Sequence, residues 1–286
     1  MSRRAGALPS AGLRASILSI GAAAALLSAC SSSHYYRGRL DEEHGDVLRA
    51  AGQYEQYLSR APQGFYAEQT RVRLGNIYAT LDRCEEAHLQ YEAALRGKAL
   101  KQPWLSEAQA GLMDCPDYFP LGSVRSWVYG DSATLGREMT LNWDMKLSSS
   151  GVAAQIQSSL YAGKSLVKKE TLAYVKKDWA IWEKSGAETV AVLRYPFVPG
   201  RQWSVKLPSG LYVYRIESDD ARVKTAAGVF ENCLKVRETN EKIPGSWEYV
   251  YYAPSVGRVK TSIGGPGYEN PNTELIRYQA ASSPTP

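Results

Sequence analysis

The hydrophobic period of this chain changes near residue 117. From Leu40 to Cys115, glycine and proline are sparse and apolar residues recur at helical spacing. From Tyr118 onward, tyrosine, tryptophan and valine alternate with polar residues between clusters of Gly, Pro, Asn and Asp, the pattern of strands joined by turns. A helical stretch followed by a strand stretch predicts an α+β chain of two domains. The expected order is a short stack of helical hairpins over 40–117, an antiparallel β-sheet or half-barrel over 118–281, and a disordered tail over 282–286. Charge divides at the same place. Residues 30–117 carry 10 basic and 13 acidic groups, and residues 118–286 carry 21 and 16.

The first 29 residues follow a different logic. Arg3, Arg4 and Arg14 form a basic head without any acidic residue, and the apolar run from Ser16 to Ala29 follows. A bilayer-spanning helix needs about 20 apolar residues, more than this run supplies. A basic head, a short apolar middle and small residues at the end are the layout of a secretory signal peptide. Leu27-Ser28-Ala29-Cys30 resembles the lipobox of bacterial lipoproteins. That resemblance implies removal of residues 1–29, lipidation of Cys30 with acyl chains such as palmitate, and attachment through a short tether over 30–39. Ser31 and Ser32, where an Asp would imply inner-membrane retention, imply the outer membrane, with the chain facing the periplasm. Loss of the three arginines lowers the formal charge from +5 to +2, so the basic balance gives no argument for nucleic acid.

The helical stretch contains a repeat. With Glu68 as position 1 of a 34-residue unit, Leu74 and Gly75 fall at positions 7 and 8, Tyr78 at 11, Ala87 at 20, Tyr91 at 24 and Ala94 at 27. This spacing resembles the tetratricopeptide repeat, in which small residues let two helices approach and aromatic residues fill the space between them. Ala50, Tyr54, Tyr57 and Pro62 repeat positions 20, 24, 27 and 32 of a preceding unit, and a helix from about Trp104 to Met113 is expected to cap the stack. Asn76 falls at position 9, where some such repeats hold a peptide carboxylate, although Val72 stands where the accompanying lysine is expected. Asn76, with Gln69 and Arg73 of the same helix, is a candidate contact to a protein partner. In this stack Cys84 starts a second helix and Cys115 follows the capping helix, so their ends should meet. A disulfide is expected between them, since an exported chain keeps such bonds.

The β stretch echoes itself: Pro120 precedes Trp127, and Pro196 precedes Trp203, by the same seven positions. Gly228 and Phe230 lead to Leu234 and Val236. About 20 residues on come Tyr252, Ala253, Pro254, Val256, Gly257, Val259 and Lys260. Together these marks resemble a β-rich domain of poorly characterised bacterial lipoproteins and periplasmic proteins, which implies no activity. Ser255 stands where that pattern expects glycine. Pro254 and Gly257 predict a turn between strands, and Asp219-Asp220 predicts another.

Catalytic patterns are thin. His34, His44 and His88 all precede the β domain, which rules out a histidine triad or histidine metal site inside it. Ser165-Leu166-Val167-Lys168 matches S-x-x-K but lies in a strand pattern. No phosphate loop, zinc motif or cofactor signature is present. The expectation is therefore a non-enzymatic protein without cofactor, tethered to a membrane by lipid. The helical repeat would bind an envelope protein as a scaffold or assembly factor. The alternative is a carrier or receptor that holds an acyl chain or other apolar ligand in a β half-barrel.

Overall fold

A computed structural model describes residues 32–97, 100–149 and 151–281. The expected signal segment, the anchoring Cys30 and the expected tail lie outside these residues. Contacts divide the chain into two units between Cys115 and Pro116. The fold is α+β in two parts, helices first and a β-sheet after.

The first unit has helices α1 (32–43), α2 (Val47–Arg60), α3 (Ala67–Thr80), α4 (Cys84–Arg96) and α5 (Trp104–Asp114). The tether expected over 30–39 is thus corrected: the chain is helical from residue 32. The reason is packing. Gly38 on α1 lies so close to the Tyr54 ring of α2 that an added Cβ would come within 2.5 Å of it. Gly75 on α3 has the same relation to Tyr91 of α4, at 2.6 Å. Both members are displaced by the same 37 positions, Gly38 to Gly75 and Tyr54 to Tyr91, so α1–α2 and α3–α4 each pack through a glycine set on a tyrosine ring. Tyr54, Tyr57 and Tyr91 are fully buried. Asp46 caps α2 by accepting from the Arg49 backbone N–H, and the acidic Glu85 and Glu86 occupy the first turn of α4, where the helix dipole favours them. Cys84 and Cys115 are joined, with Cα atoms 5.2 Å apart.

The second unit is one twelve-stranded antiparallel sheet. Its first six strands are β1 (Val124–Asp131), β2 (Met139–Ser149), β3 (Ala153–Ala162), β4 (Ser165–Lys177), β5 (Ala180–Ser185) and β6 (Glu188–Arg194). The other six are β7 (Gln202–Leu207), β8 (Gly210–Thr225), β9 (Gly228–Asn240), β10 (Trp247–Ala253), β11 (Gly257–Gly265) and β12 (Tyr268–Ala280). Each set of six is a meander. The two meanders join where β1 pairs with β12, leaving β6 and β7 as the end strands. The Pro-to-Trp echo marks the first strand of each meander, since Trp127 lies on β1 and Trp203 on β7.

The sheet rolls until its ends nearly meet. Trp203 on β7 donates its indole N–H to the Ala191 carbonyl of β6 at 2.7 Å, so a side chain bridges two strands that share no backbone ladder. Trp127 makes a matching bond of 2.7 Å to the Val256 carbonyl, in the turn between β10 and β11. In that turn Ser255 has φ 60° and Gly257 φ 93°, a left-handed backbone that glycine adopts without steric cost and serine adopts only with strain. The turn expected at Asp219-Asp220 is corrected. Both residues lie within β8, where shifts of register between Ile216 and Val223 absorb them as bulges. Ser218 supports the bulge by donating to Asp220 at 2.7 Å.

Candidate ligand cavity

The rolled sheet borders a half-open cavity of about 300 Å³. Strand alternation builds its wall. On β10, Glu248, Val250 and Tyr252 share one face by period two and all line the space. Glu238 of β9 is paired in register with Glu248 on one side and with Tyr214 of β8 on the other. Glu183 of β5 and Tyr174 of β4 are likewise cross-strand partners, and the Tyr174 hydroxyl donates to the Glu183 carboxylate at 2.5 Å. Burial drives the Tyr174 phenol well above its usual range, and the Glu183 charge adds to the effect. Burial also pushes the Glu238 carboxyl up to about 7, with Glu248 opposite reinforcing the shift.

A second level of the cavity is cationic. Arg258 is paired across the ladder with Tyr252. Its guanidinium lies 4.6 Å from the Tyr129 ring centre and 4.1 Å from that of Trp143. Such faces attract a cation without supplying a hydrogen-bond acceptor. The Arg258 Nε has no hydrogen-bond partner, and neither does the Trp143 Nε1, although Trp143 is only 5% exposed. A buried donor without an acceptor costs roughly 1–3 kcal/mol, and both of these donors belong to side chains that line the cavity. The cavity therefore has two chemistries, unpaired donors around Arg258 and paired carboxylates at Glu238 and Glu248.

Neither chemistry stood out in the sequence. The turn motif around Tyr252 to Lys260 reads as a device of folding, yet it also places Tyr252 and Arg258 in the wall. The readable signal was a glutamate on the same strand face as Val250 and Tyr252. The residues singled out from the sequence lie elsewhere. Asn76 donates to Glu107 at 2.6 Å and accepts from the Tyr91 hydroxyl at 2.8 Å, tying α3 to α4 and α5. Gln69 accepts from the Tyr35 hydroxyl at 3.4 Å. Arg73 pairs with Glu42 at 2.8 Å and lies 4.9 Å from the centre of the Trp104 ring. All three are engaged within the helical unit. Ser165 begins β4, and Cys233 is a buried free thiol that burial raises to about 12. Among the described residues, no group of three or more His, Cys, Asp or Glu could hold a metal ion. No helix among them is long and apolar enough to cross a membrane.

No known protein family's sequence profile matches the chain, and no curated protein does. Among solved structures, the chain is similar to a candidate lipoprotein from Parabacteroides distasonis. That likeness has 14% identity and a TM-score of 0.38, and covers 57% of this chain and 98% of the other. A candidate exported protein with a YmcC-like fold from Bacteroides fragilis is similar at 14% identity and a TM-score of 0.37, with 56% and 98% covered.

Proposed function

We propose that this chain is a non-enzymatic, lipid-anchored protein of the bacterial envelope whose β unit receives or carries a small polar ligand inside the rolled sheet. The observation that carries this reading is the pairing of unsatisfied donors at Arg258 and Trp143 with the carboxylates of Glu238 and Glu248 around one cavity. An acyl chain fits this wall poorly, because it would strip water from those charges and return no hydrogen bonds. Attachment would be through Cys30, acylated and held at the periplasmic face of the outer membrane. The reading is tested by purifying the protein from envelopes, denaturing it and identifying released small molecules by mass spectrometry. A polar compound released by the native protein and missing from Arg258→Gln supports it. Release of fatty acid, or of nothing, contradicts it.

A second reading keeps the helical unit as a docking module for an envelope protein, in a scaffold or assembly role. Phe65 is 88% exposed and packs edge-on against Tyr66, which stands beside Tyr36, 53% exposed. A partner contacting Gln69, Arg73 or Asn76 would have to compete with the bonds these residues already make. Capture of the same envelope proteins by wild type and Phe65→Ser would count against this docking site.

A further inference from the structure

The cavity's two chemistries are set apart along one strand. Glu248 and Tyr252 are four residues apart on β10, which is about 13 Å of strand. Arg258 stands opposite Tyr252, and Glu238 stands opposite Glu248. The donor level and the carboxylate level are therefore at different heights in the same space. A group that satisfies the first must accept hydrogen bonds at Arg258, whose charge Glu183 of the same wall partly offsets. A group that satisfies the second must donate and offset negative charge.

We infer that the ligand is an extended zwitterion, with a carboxylate at Arg258 and Trp143 and an ammonium at Glu238 and Glu248. This rests on the proposed role of the β unit as a small-ligand receptor and specifies its ligand class. An α-amino acid is too short to reach both levels, since its two charges sit on neighbouring atoms. A short unblocked peptide has the required form, because each extended residue adds about 3.3–3.6 Å between its ends. The Arg258 guanidinium lies over the Tyr129 and Trp143 rings, so the span to the carboxylate level stays near that strand length, which three or four residues match. The aromatic wall of Tyr174, Tyr214 and Tyr252 would pack along the peptide backbone. Charged hydrogen bonds at both ends make the free termini, not the side chains, the main determinants.

The test uses the full protein and a glycine series, from free glycine to tetraglycine, with binding followed by calorimetry and tryptophan fluorescence. Triglycine or tetraglycine should bind at least tenfold more tightly than glycine. N-acetyl-triglycine and triglycine amide should each bind at least tenfold more weakly than triglycine. Arg258→Gln should abolish the preference for the free carboxylate over the amide, and Arg258→Lys, which keeps the charge, should retain it. Glu248→Gln should abolish the preference for the free amine over the acetylated form. Equal binding of blocked and free peptides overturns the inference, as does failure of every peptide to bind. If peptides fail while spermidine or maltotriose binds and changes the fluorescence, the zwitterion is wrong and the polar-ligand reading survives. If only dodecanoate binds, both fail.

Discussion

Glu238 and Glu248 face each other in register across the β9–β10 ladder. Like charges directly opposite on a sheet are destabilising, and here the pair also lines a cavity that restricts water. Burial and the charge of Glu248, with a smaller push from Glu183, raise the Glu238 carboxyl to about 7 against the opposing hydrogen bond from Tyr214. A carboxyl raised in the folded state binds its proton more tightly there than in the unfolded chain. Its contribution to stability is therefore complete below the unfolded value of about 4.3 and is lost as pH rises through about 7. Glu238→Gln should leave stability little changed at pH 5 and raise it at pH 8 by of the order of 1–2 kcal/mol, discounted for partial exposure. Thermal unfolding at the two pH values measures the difference. A variant equally stabilised or destabilised at both would refute the assignment.

The bridge from Trp203 to Ala191 joins β6 and β7 by a side chain where no ladder runs. Trp203→Phe keeps most of the ring and removes the donor, leaving a buried carbonyl unpaired at a cost of about 1–3 kcal/mol. Hydrogen exchange in β6 and β7 should quicken more than exchange in β1 and β12, whose junction is held by a backbone ladder. Uniform acceleration through all twelve strands would show that the bridge does not hold this seam.

Gly75→Ala should destabilise the helical unit by about 1–3 kcal/mol, because the new methyl meets the Tyr91 ring in a closed space. Gly38→Ala should do the same through Tyr54, at the matching place in the first helix pair. If either substitution is neutral in denaturant unfolding, the two pairs are not packed alike.

Reduction of Cys84–Cys115 should lower the stability of the helical unit by about 3–4 kcal/mol, the chain-entropy value for a separation of 31 residues. The β unit should be unaffected, because Cys233, its one described cysteine, is unbridged. Circular dichroism with and without reductant, read at helix and strand wavelengths, separates the two units.

The division into helices and strands was legible because period is a property of neighbouring residues. The turn at Pro254–Gly257 was legible for the same reason, since proline and glycine act on their own backbone. The first helix was hidden because the stretch beside Cys30 suits a tether, and only the fit of Gly38 to Tyr54 discloses its role. Asp219-Asp220 misled because two acidic residues suit a turn as well as a bulge, and register with β9 decides between them. The cavity was beyond reach for a stronger reason. Glu183, Glu238, Glu248 and Arg258 come from four strands, and no local rule states that a rolled sheet brings them around one space.

As proposed, this space holds a polar molecule between Arg258 and the Glu238–Glu248 pair. The most direct measurement is a crystal structure of protein purified from envelopes, without added ligand. Continuous non-protein density linking the Arg258 and Trp143 side chains to the two carboxylates is the expected result. A cavity filled only by separate waters, or by an acyl chain, would contradict it.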